Sequence, residues 1–475
     1  MATTDSSADE APTHPARDAL GRPGLGRPGL GRPGLGRPVL GRRVLAGYAV
    51  GSLVTGAFGT VPGLLLLPYL TDTLGVAAGV AGLLVLLPKA WDVLINPVAG
   101  RISDRRPDRR PFLLIAGLAL AVLFAAMFAG PFAAGGPAAA YVALAFLATA
   151  TAFAFFQVPY VAMPAELTDG YAERTRLMTW RVAVLALAIL VSGALAPLIV
   201  VRTGDGLAGH RWAGLFVATL IAAGTLGVFG GTRGAAMRTP GQSEPSWRAQ
   251  LAVVAANRSF RALLLCFVIQ SAGIATMLAG VQYFADHVIG RPAGATVLFA
   301  AFVGPALLVM PLWSRIGRSI GKLRSMVVAS LLFAAGALAL LGAGAVPPVA
   351  VYLIVAVIGV GYAGQQVFAL AMLPDRIAHD TARTGRRQAG VFTGLWTAGE
   401  TFGLALGPGI FALVLQLSGY ESASGGVAAV QDDAARLGIL LGFSVIPAAL
   451  VGMAVFLLRR YDDSPAAVGS PSVEA

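Results

Sequence analysis

Long apolar segments alternate with short polar connections along most of the chain. Twelve of these segments are each near the roughly 20 residues that a helix needs to cross a bilayer, and they cover residues 44–70, 76–99, 111–131, 138–163, 179–201, 212–230, 260–285, 293–314, 323–344, 347–373, 389–417 and 435–458. Inside lipid a helix satisfies its own backbone hydrogen bonds. The pattern therefore predicts an all-α membrane protein with twelve transmembrane helices.

The composition supports a membrane protein and excludes an ordinary soluble one. The chain has 475 residues, of which 56% are hydrophobic and 12% charged, whereas charged residues make up about 25% of a typical soluble domain. Its net charge of +12 does not indicate a nucleic-acid partner, because the basic residues are spread over many loops. Cys266 is the only cysteine, which excludes an intramolecular disulfide and a cysteine metal site.

Basic residues concentrate in every second loop, and this distribution predicts the orientation. Counting from a cytoplasmic N-terminus, the cytoplasmic loops and tail hold the arginines within 101–110, 174–176, 233–248, 315–324, 376–387 and 459–460. Loops that stay in the cytoplasm carry an excess of Lys and Arg. We therefore expect both termini to be cytoplasmic and the protein to cross the cell membrane many times.

The longest internal connection divides the twelve segments into two groups of six. We expect a disordered basic tail at 1–43, a first half at 44–230, a central cytoplasmic loop at 231–259, a second half at 260–458 and a cytoplasmic tail at 459–475. The first tail repeats Leu-Gly-Arg-Pro-Gly, and Gly and Pro in each repeat oppose helix and strand. Two parallel six-helix repeats are a known plan of secondary transporters.

Polar residues inside the apolar segments are the first candidates for function. Lys89, Asp92 and Asn96 lie three and four residues apart and so share one helix face. Glu400 is a lone acid in the eleventh segment. Ionisable groups at membrane depth are costly and mark solute or ion pathways. The alternative for Asp92 is a charge pair with Lys89, and the alternative for Glu400 is a hydrogen-bonded interior acid or one that faces a loop. A lone acid in lipid is expected to bind a proton readily.

The sequence shows no motif for ATP-driven transport, for a metal site or for enzymatic catalysis. The chain contains no phosphate loop of the Gly-x-x-x-x-Gly-Lys-Ser/Thr type and no His-Glu-x-x-His pattern. Its residues also suggest no set of nucleophile, base and orienting group. We therefore expect no cofactor, no resident metal and no enzymatic activity, and gradient-driven transport is the class that remains.

Four stretches resemble one family, the glycoside/pentoside/hexuronide cation symporters of the major facilitator superfamily. They lie near the first, second, fourth and eleventh predicted spans, and read Tyr69-Leu70-Thr71-Asp72, Trp91-Asp92-x-x-x-Asn96-Pro97-x-x-Gly100, Val158-Pro159-Tyr160 and Gly394-Leu395-Trp396-Thr397. The resemblance implies the major facilitator fold, with two six-helix pseudo-repeats around a central site. It also implies that Asp92 and Asn96 occupy the cation position, although the melibiose permeases have aspartate at both.

The remaining candidate residues follow from side-chain chemistry and from the resemblance. Sugars are bound by aromatic faces, amides and hydroxyls, so the predicted solute contacts are Gln157, Tyr160, Trp396 and Thr397. Arg181 is added because it matches an arginine of the family, which implies pairing with a carboxylate near the solute. Helix packing or anchoring at the membrane interface is the competing interpretation. A predicted cytoplasmic charge network that latches one state comprises Lys89, Asp104, Arg105, Arg109 and Arg110, for which plain positive-inside anchoring competes.

Together these features predict symport of a sugar or glycoside with a cation. A proton is favoured over sodium, because Asn96 removes a charge from the cation position while Glu400 adds a protonatable group. One alternative is a carrier of lipids or amphipathic drugs, including an exporter, and another is a membrane sensor or scaffold that transports nothing. The expected partners are the small solute and the bilayer, and nothing indicates a nucleic acid or an obligatory protein partner.

Overall fold

The computed structural model describes residues 40–104, 108–130, 134–168, 171–204, 206–235, 257–291, 293–384, 389–422 and 429–461. The predicted disordered tail lies outside the described residues up to Val39, as do most of the predicted central loop and the last fourteen residues of the C-terminal tail. Arg105 also lies outside them, and the side chains of Lys89 and Asp104 are not among those described.

Helices account for almost all of the described residues, and we number them α1 to α12 in chain order. Their bounds are α1 Arg42–Thr73, α2 Ala78–Asp104, α3 Arg110–Phe128, α4 Gly135–Leu167, α5 Tyr171–Arg202, α6 Gly206–Thr232, α7 Arg258–Ile289, α8 Gly294–Ile320, α9 Lys322–Ala345, α10 Pro348–Thr384, α11 Ala389–Leu417 and α12 Asp433–Arg460. The spans α1 and α7 end in a π-helical turn, α9 and α12 end in 3-10 turns, and α12 is interrupted at Ser444.

The predicted all-α membrane architecture is confirmed. Within the described residues, eleven of these helices are long and apolar enough to cross a membrane, and α2 contributes a shorter apolar stretch, Ala78–Pro88, before its polar residues. Large apolar side chains on the bundle surface, such as Leu308, Ile115 and Val122, are 69–84% exposed. An apolar surface of this kind is suited to contact with lipid.

The first six helices pack mainly on one another, and so do the last six. In the first group α1 contacts α5 and α6, and α4 contacts α2 and α3; in the second group α11 contacts α7, and α10 contacts α8 and α9. The two groups meet where α1 contacts α7, α2 contacts α11 and α5 contacts α8. This arrangement leaves the helices that carry Asp92 and Glu400 facing the opposite half.

Glycines allow the closest of these crossings. Gly47 of α1 faces Gly231 of α6, and a Cβ built on either residue would overlap the backbone of the other. Small residues let membrane helices approach closely, so that packing replaces the hydrophobic effect that drives association in water. The α1–α6 contact therefore depends on both glycines.

Candidate functional site

A cavity lined by both polar and apolar side chains lies within the last six helices. It has a volume of about 60 Å³, is partly open, and is lined by Phe267, Gln270, Ser271 and Ile274 of α7, Tyr362, Gln365 and Gln366 of α10, and Glu400 and Leu404 of α11. A water molecule needs roughly 10–15 Å³ by this measure. The cavity therefore has room for a few waters, an ion or one polar part of a solute, and we call it the glutamine cavity.

Glu400 lies in the wall of the glutamine cavity. Its side chain is half-buried, and within the described part of the chain it makes no hydrogen bond or ion pair. The sequence predicted a functional acid at this position, and the structure places it in a wall that also holds amide, hydroxyl and apolar side chains. A carboxyl group in such a place can accept and release a proton without breaking a salt bridge.

Three glutamines of the cavity were not predicted from the sequence. Gln270 and Gln365 are each only 2% exposed. The Nε2 atom of Gln270 donates to the Ser330 hydroxyl at 3.0 Å, and that of Gln366 donates to the Tyr362 hydroxyl at 2.8 Å. The sequence feature that could have indicated them is an amide side chain inside an apolar segment. Burying such a side chain costs free energy unless it faces a polar space or a partner.

Two of the glutamines retain polar atoms without a partner. The Oε1 atom of Gln270 and both amide atoms of Gln365 are buried and make no hydrogen bond with the described residues. Most buried polar groups in proteins are hydrogen-bonded, and each one that is not calls for an explanation. The unsatisfied atoms lie on the two helices that face Glu400 across the cavity.

The predicted solute residues of α11 lie beside the cavity rather than in its wall. Trp396 is 3% exposed and stacks on Phe267, with ring centroids 4.3 Å apart. Thr397 is exposed and lies one helical turn before Glu400. Because Phe267 lines the cavity, Trp396 packs behind that wall, and its contact with the solute stays a prediction.

A second polar group forms in the first half around Tyr160 of α4. Its hydroxyl donates to the Tyr48 carbonyl at 2.7 Å and lies 2.9 Å from the Ser52 hydroxyl, and the whole side chain is buried. The Arg181 guanidinium stands 5.4 Å from the centre of the Tyr160 ring. Tyr160 therefore joins α4 to α1 and supports Arg181.

Gln157 precedes Tyr160 by one turn of α4. It is half-buried, and its Oε1 atom makes no hydrogen bond with the described residues. Neither Gln157 nor Arg181 lines the glutamine cavity. The structure thus places the predicted solute contacts in two groups, one in each half of the protein.

The predicted cation residues of the second helix lie on one face of α2. Asp92 is 5% exposed, and Asn96, one turn later, is half-buried. The Lys89 side chain, predicted on the same face, is not among those described. Asp92 is thus a buried acid, and its role as a cation ligand stays a prediction.

One arginine of the predicted charge network, Arg110, bonds to backbone carbonyls just after α6. Arg110 opens α3, and its guanidinium donates to the Arg233 carbonyl at 2.7 Å and to the Ala235 carbonyl just after α6. A cation at a helix C-terminus satisfies carbonyls that have no partner within the helix. Arg109 is 6% exposed. Arg110 therefore fixes α6 to α3, and a gating role of the network stays a prediction.

Hydrogen bonds join the two halves at the end of the bundle where α1 finishes, which we call the distal end. The Tyr420 hydroxyl, three residues after α11, donates to Oδ1 of Asp72 at 2.6 Å. The Thr71 hydroxyl also donates to Asp72, at 2.9 Å, and lies 2.7 Å from the Tyr283 hydroxyl of α7. These four side chains, Thr71, Asp72, Tyr283 and Tyr420, form the distal seal.

Further polar contacts extend the distal seal along α2. The Ser422 hydroxyl donates to the Val76 carbonyl at 2.8 Å, and the Gly79 amide donates to Oε1 of Gln416 at 3.1 Å. Burial, assisted by the nearby Asp72 charge, raises the pKa of Tyr420 well above its ordinary value. Tyr420 therefore keeps its proton near neutral pH and remains a donor to Asp72.

Comparisons with known proteins agree with this geometry. The profile of a family described as MFS/sugar transport protein matches residues 47–462. Among curated relatives, the putative glycoside/cation symporter YagG of Escherichia coli (strain K12) is 26% identical over 427 residues, which cover 87% of this chain and 90% of that protein. The isoprimeverose transporter of Lactiplantibacillus pentosus is 24% identical over 366 residues, which cover 74% and 75%.

A solved structure shares the fold. The inward-facing, occupied form of a bacterial homolog of the human lysosomal transporter Spinster superposes with a TM-score of 0.65 at 15% identity, and the match covers 91% of this chain and all of that one. Similarity at this level of identity concerns the fold alone. Twelve helices in two groups of six make up the part of the chain that the structure describes, and the family model matches most of the sequence. The chain therefore belongs to the MFS/sugar transport protein family.

Proposed function

We propose that the protein is a secondary transporter of the plasma membrane that carries a sugar or glycoside together with a cation. The names of two relatives, a putative glycoside/cation symporter and an isoprimeverose transporter, support this class of solute. The observation that carries the proposal is the glutamine cavity, where the half-buried Glu400 and three uncharged amides line one small space inside the membrane bundle.

Glu400 is the coupling group in this proposal, and the coupling cation is a proton. A half-buried carboxyl that makes no ion pair within the described residues can be neutralised by a proton when the cavity closes around it. In the first half Asp92 is paired with the uncharged Asn96 at the position of the family's cation site. With one carboxylate instead of two, that site attracts sodium less strongly.

In the proposed transport cycle the distal seal opens and closes once in each turnover. With both termini in the cytoplasm, as the arginine-rich loops indicate, the distal end faces the outside and the structure is closed there by Asp72 and Tyr420. Uptake requires this seal to open and then reform while the opposite end opens. Two six-helix halves that rock around a central site perform that exchange in transporters of this plan.

The test is solute-driven ion uptake in proteoliposomes. Purified wild type is reconstituted with separate internal reporters for protons and sodium, and isoprimeverose, melibiose and p-nitrophenyl glycosides are added in turn. We expect one of these sugars to drive proton entry. The Glu400→Gln variant is expected to lose sugar-driven proton entry while still exchanging labelled sugar across the membrane, because the amide keeps the shape of the site but cannot carry a proton.

Two further variants complete the design. Asp92→Asn tests the first-half site, and Asp433→Asn is the matched control because that acid is exposed at the start of α12. Sugar-driven sodium entry without proton entry would contradict the choice of proton. If no sugar moves or drives either ion in a folded preparation, the sugar assignment is wrong and lipids and amphipathic drugs become the solutes to test.

A further inference from the structure

The unpaired donor and acceptor atoms of the glutamine-cavity amides indicate which kind of ligand could bind there. Gln365 is 2% exposed, and both its Nε2 donor and its Oε1 acceptor are buried without a hydrogen bond to the described residues. On α7, Gln270 is equally buried and its Oε1 acceptor is also unsatisfied. Buried polar groups without partners destabilise a protein. A ligand that satisfies them therefore gains affinity from every bond.

A bare cation cannot satisfy this set, because it binds oxygen atoms and leaves the Nε2 donor of Gln365 without a partner. A hydroxyl group both donates and accepts. Two neighbouring hydroxyls of a polyol match one amide, since the first accepts from Nε2 and the second donates to Oε1. The chemistry of the amides thus favours a vicinal diol.

We propose that Gln365 and Gln270 form a subsite for neighbouring hydroxyl groups of the solute, in the second half of the protein. This inference rests on the proposed function in taking the solute to be a sugar. A cavity of about 60 Å³ is well below the roughly 300–1,000 Å³ of a typical ligand pocket. The subsite therefore receives one edge of the sugar, and the rest of the solute occupies the space outside its opening.

The same subsite places the solute beside the coupling group. Glu400 lines the cavity together with both glutamines. A protonated carboxyl can donate a hydrogen bond to a solute hydroxyl, whereas an ionised one only accepts. Cation binding at Glu400 therefore changes the hydrogen bonds offered to the sugar, which gives coupling a direct structural origin.

The test replaces Gln365 with methionine, an apolar side chain of similar shape. Two quantities are measured on the purified protein: the thermal midpoint without solute, and equilibrium binding of a panel. The panel contains isoprimeverose and melibiose as sugars, myo-inositol and glycerol as simple polyols, and matched deoxy analogues of the sugars. Thr276→Val is the control, because Thr276 is a buried residue of α7 whose hydroxyl bonds its own helix at the Ala272 carbonyl.

We expect Gln365→Met to keep or raise the thermal midpoint, because it removes buried polar atoms that have no partner. We also expect it to weaken binding of the vicinal diol about ten- to a hundred-fold and to abolish discrimination against the deoxy analogue. Thr276→Val should leave binding unchanged. A clear fall in the midpoint of Gln365→Met would show that the amide is bonded within the protein, and this result would overturn the inference.

The remaining outcomes separate this inference from the proposed function. If polyols bind through Gln365 and sugars do not, the subsite stands and the sugar assignment fails. If sugars bind equally well to wild type and Gln365→Met, the sugar assignment stands and the subsite is refuted. Absence of binding by every member of the panel would refute both.

Discussion

The hydrogen bond from Tyr420 to Asp72 is the contact on which closure of the distal end is expected to depend. The Tyr420→Phe variant removes only the hydroxyl that donates to Asp72 at 2.6 Å, and it keeps the ring. Asp72 then retains Thr71 as a donor at 2.9 Å. A hydrogen bond to a charged group contributes about 1.5–3 kcal/mol. Since water replaces the lost donor only in the open state, we expect roughly a 10- to 150-fold shift toward opening.

The assay is a distance measurement between the two halves by double electron–electron resonance. Spin labels are attached to cysteines at Ala134 and Val346, two exposed positions in the distal connections α3–α4 and α9–α10. Cys266, the only native cysteine, is first replaced by alanine. The comparison is made in a detergent and at a pH where wild type shows both the short and the long distance, so that the ratio of the two populations can be read.

The matched control is Tyr141→Phe, which removes a phenol hydroxyl in the same region of the bundle. That hydroxyl donates to the Ala126 carbonyl at 2.8 Å, within the first half. It should leave the ratio of short to long distances unchanged. A Tyr420→Phe ratio within two-fold of wild type would refute the assignment of the distal seal as an energetic contact between the halves.

Two further predictions concern stability. The Gly407→Ala variant places a Cβ against the side chain and backbone of Ala275 on α7. We expect this overpacking to lower the free energy of unfolding by about 1–3 kcal/mol, which is measured as a lower thermal midpoint. The control is Gly409→Ala, whose Cβ meets only ordinary contacts and should leave the midpoint unchanged. The Asp375→Asn variant removes an ion pair with Lys322 at 2.5 Å, in which the two side chains are 45% and 42% exposed. Because exposed ion pairs contribute little, we expect the free energy of unfolding to fall by under about 1 kcal/mol. A loss of stability that remains the same at high salt would contradict this.

The helices were predictable because a helix that crosses lipid needs a continuous run of apolar residues, and such a run can be recognised in the local sequence. Glu400 was predictable for the same reason, as a single charge that interrupts an apolar segment. The predicted end of the tenth span, near residue 373, fell short of the helix, which continues to Thr384. Once outside the lipid, a helix no longer needs apolar residues, so hydropathy does not mark its end.

Contacts between distant segments were not predictable. Asp72 and Tyr420 are separated by 348 positions. The local sequence around each residue does not indicate which helix of the other half it contacts. The glutamines were missed for a related reason: an amide in an apolar span is as consistent with a satisfied interior hydrogen bond, like that of Gln270 to Ser330, as with a cavity wall. Only the packing of α7, α10 and α11 reveals that the Gln365 amide has no hydrogen-bond partner among the described residues.

The two sites are connected by the same pair of helices. On α7, Gln270 lies in the glutamine cavity and Tyr283 lies in the distal seal, about 20 Å further along at 1.5 Å per residue. On α11, Glu400 lies in the cavity, and the chain reaches Tyr420 just past the helix end. Gly407 holds the two helices in backbone contact between these levels. Because closely packed helices move as rigid bodies, a change of hydrogen bonding at Glu400 that repositions either helix also changes the geometry offered to Asp72. Coupling between cavity and seal then needs no chain of intermediate side chains, since α7 contributes a residue to both and Tyr420 of the seal directly follows α11.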